Sequence, residues 1–389
     1  EDIGRGSPAT RAAGRLYEYV RALGFTGIQL GPQGQTTRSN PSPYDGTIFS
    51  RNLGNISVHS LRGLVDDGAI ERALHRGSAA NYQHAYDAIH ALVAEAYERI
   101  TPELRERLAS FRAANASWLE SDALHAALTD AHGGRGFRDW PARDRDPRTA
   151  SAAGHERAIE RYAFGQMLVH EEHVRVRARC GLALYGDLQV GYSDADTWAH
   201  QRTFLDGWLL GAPPSRTNPA GQPWGYPVLD PARPAARALV VARAEKAFAE
   251  YDSLRIDHPH GLVCPWVYRA GDPDPGHAVR AGSRLHESPD VAALLPYAIA
   301  RADQLDLAQP RFADHWVRTL DADQIARYSV YIAEILARAR DELSCEVLST
   351  MPTPLGAVLE RHGLGRWRVT QKANLDDPSD VYRTENVGR

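Results

Sequence analysis

The amino-acid sequence predicts a parallel α/β protein, with a barrel favoured over an open sheet. Three observations carry this reading. A helix-like stretch followed by a short apolar strand recurs five times along the chain, and such alternation produces parallel strands. Each strand ends in a polar residue (Gln29, Asp187, Asp257, Glu346 or Gln371); a ring of such groups at the carboxyl ends of strands is the barrel arrangement. No glycine fingerprint for a dinucleotide or phosphate follows any of the strands, which removes the usual mark of a nucleotide-binding open sheet.

Taken in order, Arg11 to Leu23 reads as a helix with Leu16, Tyr19, Val20 and Leu23 on one face, and Gly24 ends it. Phe25 to Leu30 follows as a strand, stopped by Gly31-Pro32. His155 to Arg179 is helical, with Ile159, Tyr162, Ala163 and Met167 apolar, and leads into Leu182-Ala183-Leu184-Tyr185 and then Gly186-Asp187. The next unit joins Ala235 to Glu250 with Ser253 to Asp257. Asp321 and Gln324 form a capping-box start for a helix striped by Ile325, Tyr328, Ile332, Ile335 and Leu336, and Ser344 to Leu348 is its strand. A short helix near Leu355 to His362 precedes the strand Trp367 to Gln371. Between the first two units, 60–153 shows helical periodicity and a charged turn from Arg135 to Arg148 but no strand, and reads as an inserted helical subdomain. The domain reading is therefore barrel over 1–59, insertion over 60–153, and barrel over 154–389, with an aromatic loop at 211–230 over the active site.

Bulk properties remove several function classes. At 389 residues and 43% hydrophobic, the chain suits one large domain with insertions or two ordinary ones. Its 45 basic and 49 acidic residues are well mixed, which is neither a nucleic-acid footprint nor a membrane anchor. Apolar runs stay short of the ~20 residues a membrane helix requires, and three scattered cysteines make neither a disulfide framework nor a zinc site. No signal peptide opens the sequence. The expected location is cytoplasmic.

The chemistry concentrates at two strand ends. In Leu254-Arg255-Ile256-Asp257, strand alternation sends Arg255 and Asp257 to one side. The guanidinium would keep the carboxylate ionised, as a nucleophile requires; the same residues also suit an ion pair that only braces the strands. Glu346 ends the following strand. Neighbouring strands lie ~4.8 Å apart, near the ~5–5.5 Å carboxyl separation of retaining glycosidases, and a neighbouring negative charge with partial burial would keep Glu346 protonated as the acid. A strand-end glutamate capping a nearby backbone is the plainer alternative. Asp187, Asp194 and Asp196 share a loop that a calcium ion could use; capping of the helix at Thr197-Trp198 by Asp194 or Asp196 is preferred, with Asp187 left for a sugar hydroxyl. Pro213 to Pro227 and Ser42-Pro43-Tyr44 read as ordered loops presenting Trp224, Tyr226 and Tyr44 to a ring substrate, or as plain proline-rich connections. His258 and His260 beside Asp257 lack a third obvious ligand, so no metal is expected.

Several stretches together resemble the amylomaltase, or 4-α-glucanotransferase (disproportionating enzyme), family. They are Ser42-Pro43-Tyr44, Tyr185-Gly186-Asp187-Leu188, Ser193-Asp194-Ala195-Asp196-Thr197-Trp198, Gly221-Gln222-Pro223-Trp224-Gly225-Tyr226-Pro227 and Leu254-Arg255-Ile256-Asp257-His258. The resemblance spans nearly the whole chain, including the inserted helices with Trp118-Leu119-Glu120. It implies a (β/α)8 TIM barrel with inserted subdomains that moves α-1,4-glucan segments between maltooligosaccharides without a cofactor. It places the nucleophile at Asp257, the acid/base at Glu346, the supporting arginine at Arg255, and substrate contacts at Tyr44, Asp187, Trp224 and His258. The family's third acid, in a His-Asp pair on the seventh strand, has no counterpart here, and strands one, seven and eight are not seen; that acid is expected beyond Arg389. The rival expectations are a retaining α-glucan hydrolase and an inactive glucan-binding barrel.

Overall fold

Thr10 starts the first helix by accepting a hydrogen bond from the Ala13 amide at 3.2 Å. A computed structural model describes residues 3–215, 218–339, 343–348, 350–367, 373–380 and 382–386. The chain divides into two compact units, Glu1–Gly186 with Gly191–Gln201 and Ala249–Asp252, and the remainder.

The first unit holds α1 (Arg11–Ala22), β1 (Gly27–Gln29), α2 (Asp67–Ala73), α3 (Tyr82–Glu98), α4 (Pro102–Ala131), α5 (Ala142–Arg145), α6 (Glu156–Cys180), most of β2 (Ala183–Leu188) and α7 (Asp194–Ala199). β1 runs parallel to β2, with Gly27 opposite Ala183 and Gln29 opposite Tyr185. Residues 60–153 contribute helices and turns and no strand among the described residues. They share their core with neighbouring segments: Ala123 and Ala127 of α4 pack on Ile159 of α6, and Leu128, Phe137 and Trp140 pack on Trp198 of α7. α1 turns away from its expected orientation. Leu16, Tyr19 and Leu23 are 50%, 62% and 57% exposed, and the helix instead buries Tyr17, whose hydroxyl donates to the Pro8 carbonyl. Capping of α7 uses Asp196, as expected, and not Asp194. Ser193 is the N-cap and Asp196 completes the box, while Asp194 accepts from the Phe137 amide and from Arg138.

The second unit holds the last residues of β2, β3 (Phe204–Ala212), β4 (Gln222–Leu229), most of α8 (Pro234–Glu250), β5 (Ser253–Ile256), α9 (His260–Val263), β6 (Trp266–Arg269), α10 (Pro275–Arg280), β7 (Ser283–Arg284), α11 (Ala322–Tyr328), α12 (Val330–Leu336), β8 (Ser344–Glu346), α13 (Thr353–His362) and β9 (Gly365–Trp367). β5, β8 and β9 are parallel neighbours, with Ile256 opposite Cys345 and Glu346 opposite Trp367. The Leu188 carbonyl at the end of β2 accepts from the Asp257 amide at 3.0 Å. Every residue of β5 is buried, as a parallel strand covered on both faces requires. Asp321 and Gln324 form the expected capping box, but the stripe of Ile325 to Leu336 is split at Ser329 into α11 and α12. The polar strand end expected at Gln371 lies outside the described residues.

The segment 211–230 corrects the loop reading. Half of it is strand: β4 pairs antiparallel with β3, and β6 and β7 complete a sheet of order β4-β3-β6-β7. Pro223 and Pro227 break no ladder because β4 is an edge strand, where proline's missing N–H is tolerated. Close approach fixes the hairpin at Gly211, where a Cβ would meet the Gln222 carbonyl oxygen at 2.6 Å. Leu205, Trp208, Leu210, Val228, Val267 and Leu285 form the core beneath this sheet, with Trp224 and Tyr226 packed against it.

Candidate active site

Four charged groups meet where β2, β5 and β8 end, all of them in the second unit. The Arg255 guanidinium donates through Nη1 to Asp187 Oδ2 at 2.7 Å, and through Nη2 to Asp257 Oδ1 at 3.0 Å and Glu346 Oε1 at 2.6 Å. The side chains of Asp187, Arg255, Asp257 and Glu346 are 2%, 6%, 7% and 8% exposed. Alternation along β5 therefore does what the sequence implied: Arg255 and Asp257 share a side, and the parallel neighbours bring the other two acids to the same cation.

His258 contacts two of these acids. Its Nδ1 lies 3.2 Å from Asp257 Oδ1 and 3.0 Å from Glu346 Oε2. Its φ of 42° makes it the one non-glycine residue with positive φ among the described residues, a conformation that clusters at functional sites. The Trp224 ring meets the His258 ring edge-on at 5.2 Å, and His260 lies 6.0 Å away on α9. His258 and Trp224 are thus placed beside the acids.

Beyond them lies a small open cleft of about 50 Å³, lined by Leu210, Gly211, Trp224, His258, His260, Trp266, Arg284 and Thr350. Sequence reasoning missed Trp266 and Arg284. The alternation Trp266-Val267-Tyr268-Arg269 was the available sign of β6. Tyr44 belongs to the first unit, in the single-turn helix Pro43–Asp45, and is 43% exposed.

Burial and charge separate the titratable groups. Burial would raise the Asp257 carboxyl, but its hydrogen bonds with His258 and Glu346 and the charges of His258 and Arg255 hold it well below the ordinary carboxylate range. Burial pushes Asp187 up to about 6, with Arg255 opposing and the charges of Asp257 and Glu346 assisting. Burial works against a charged His258, yet hydrogen bonds to Asp257 and Glu346 carry its ring up to about 9. Burial lowers His260 to about 3, so that ring is neutral, and its Nε2 donates to the Thr350 carbonyl.

The high value for Asp187 has a stability consequence. A carboxyl that is easier to protonate folded than unfolded costs stability as pH rises between its ordinary value and about 6. Asp187→Asn removes that cost while keeping an acceptor for Arg255. The expected gain is on the order of 2 kcal/mol at pH 7.5, visible as a rise in melting temperature that shrinks as pH is lowered toward 4.

Asp257, His258 and Glu346 bring donor atoms within 4.8 Å of one another, close enough to hold a cation. Arg255 already ion-pairs both carboxylates, so this donor set is committed to a guanidinium.

A family model described as 4-alpha-glucanotransferase matches residues 1–389. The chain belongs to this family. The 4-alpha-glucanotransferase of Thermus thermophilus is 31% identical over 288 residues, covering 68% of this chain and 57% of the relative. The chloroplastic/amyloplastic 4-alpha-glucanotransferase of Solanum tuberosum is 30% identical over 266 residues, covering 62% and 46%. The chain thus spans about half the length of these 4-alpha-glucanotransferases. Among solved structures, the amylomaltase of Streptococcus agalactiae in complex with acarbose superposes with a TM-score of 0.76 at 16% identity, over 99% of this chain and 74% of that one. The amylomaltase of Corynebacterium glutamicum gives 0.68 at 19% identity, over 97% and 50%. These two likenesses establish an amylomaltase-like α/β fold.

Proposed function

We propose that this protein transfers α-1,4-glucan segments between maltooligosaccharides by a retaining double displacement, using no cofactor. The observation that carries the reading is the spacing of the acids. Asp257 and Glu346 bring carboxylate oxygens within 4.8 Å of each other, which suits the ~5–5.5 Å separation of retaining enzymes and leaves no room for the water that inverting enzymes hold across ~6.5–9.5 Å. Asp257, kept ionised by its neighbours, attacks the anomeric carbon, and Glu346 protonates the departing oxygen. Glu346 then takes the proton of an acceptor 4-hydroxyl as the covalent glucosyl enzyme is resolved. Arg255 holds both carboxylates in register. Asp187, Trp224 and His258 contact the sugar, and Tyr44, exposed on the first unit, is a further aromatic contact for glucan.

The parallel strands are read as part of a (β/α)8 TIM barrel carrying inserted helices. No described helix is long and apolar enough to cross a membrane, and the three cysteines are free and buried; both fit a cytoplasmic enzyme.

Incubating the complete protein with maltotriose tests the reading. Transfer yields glucose together with a ladder of longer oligosaccharides. Glucose and maltose alone mark a hydrolase, and no turnover marks a glucan-binding protein. Trp224→Ala should raise KM for maltotriose about tenfold, the order of one lost aromatic stacking contact of roughly 1.4 kcal/mol, with a smaller change in kcat.

A further inference from the structure

The retaining cycle needs an acid that carries a proton before the glycosidic bond breaks. Two cations, Arg255 and His258, each contact both Asp257 and Glu346. Arg255 cannot release a proton near neutrality. His258 is, among the described residues, the titratable donor in contact with Glu346, and its Nδ1 sits 3.0 Å from Oε2.

We propose that His258 is the proton store of the acid/base pair: while the site is empty it holds the proton on Nδ1, shared toward Asp257 and Glu346, and substrate entry moves that proton onto Glu346 Oε2. The inference rests on the glucan-transfer reading. The step balances simply. The Nδ1–H bond breaks, an O–H bond forms on Glu346, and a cation and an anion become two neutral groups. Glu346 then gives the proton to the leaving oxygen and recovers one from the acceptor hydroxyl, and product release lets it return to Nδ1.

Three observations support this. The backbone of His258 lies in the left-handed region at φ 42°, which a non-glycine residue keeps only where its surroundings hold it. The bridging contacts to Asp257 and Glu346 and the edge-on Trp224 ring are those surroundings. The ring also titrates in the right direction, carried up to about 9 by the two acids. Among the described residues, the other charged or titratable groups around it include Arg255, joined to the same carboxylates from β5, Asp187 beside that guanidinium from β2, neutral His260 on α9, and Arg284 of β7 and the Cys264 thiol, pushed up by burial, in the same cleft.

The test compares two donors in the complete protein. Maltotriose needs its leaving oxygen protonated, whereas α-maltotriosyl fluoride carries a leaving group far less dependent on an acid. His258→Gly suits the left-handed backbone and leaves space for free imidazole; His258→Asn, which also tolerates this backbone, is the second variant should the first fold poorly. The expected result is a loss in kcat on maltotriose of about 100-fold or more, the usual range for a general-acid function, with a loss on the fluoride at least about tenfold smaller. Imidazole restores maltotriose turnover in the glycine variant, and the alkaline limb of the pH profile moves. Equal losses on both donors, with no response to imidazole and an unmoved alkaline limb, overturn the proposal and leave His258 as a sugar contact. Absence of turnover by the unaltered protein is a different result, which overturns the glucan-transfer reading and this inference with it.

Discussion

Asp257→Asn in the complete protein should abolish maltotriose disproportionation, with an expected loss of about 10⁴-fold or more if Asp257 is the proposed covalent nucleophile. The substitution is nearly isosteric, and its amide can still accept from Arg255 and His258, so the fold should survive. On the proposed mechanism, what goes is the anionic oxygen that attacks the anomeric carbon. The measurement is glucose and oligosaccharide production over time, with circular dichroism and a thermal melt to establish folding. Near-normal glucose release would sink the assignment of Asp257 and return the Arg255–Asp257 contact to a bracing ion pair.

Much of this site was legible because it rests on strand geometry. Two short patterns, Arg255-Ile256-Asp257 and Cys345-Glu346, each put an acid at a strand's carboxyl end, and parallel pairing of β5 with β8 brings them together. Asp187 and Trp224 were read as substrate contacts from their loops and again from the family resemblance, and they lie beside the pair, Asp187 through Arg255 and Trp224 through His258. What escaped the sequence has definite causes. β4 was hidden by its prolines, which mark turns in general but are harmless on an edge strand. β6 and β7 are too short, at four and two residues, to show a convincing period. The expected apolar face of α1 is exposed because periodicity gives a helix its stripe without saying which residues anchor it, and here the Tyr17 hydroxyl does so. The contact of His258 with two acids at once depends on a backbone angle that no local pattern encodes.

Arg255→Leu should be the most damaging single change to stability in the second unit. The guanidinium contacts Asp187, Asp257 and Glu346 at 2.6–3.0 Å, and all four side chains are less than a tenth exposed. Removing the cation leaves a cluster of buried carboxylates with only His258 opposite two of them, and breaking a buried ion pair in this way costs about 3–5 kcal/mol. The sign of the pH dependence follows from the same loss. Without Arg255 the folded protein binds a proton on Asp187 more readily than the unfolded chain does, because burial and the charges of Asp257 and Glu346 then act without the guanidinium against them, while His258 still holds Asp257 down. This part of the variant's stability is therefore greatest at acid pH, where Asp187 is protonated in both states, and falls as pH rises through its elevated folded value. Denaturant melts at pH 5 and pH 8 check this, and the gap between variant and parent should be wider at pH 8. A constant gap would mean that the leucine disturbs packing and that charge is not the cause. Arg255→Lys refines the point. A lysine restores one positive charge but not the planar fork that reaches three acids at once, so it should recover part of the stability while losing about 10²–10³-fold in kcat, the scale of a mispositioned catalytic pair.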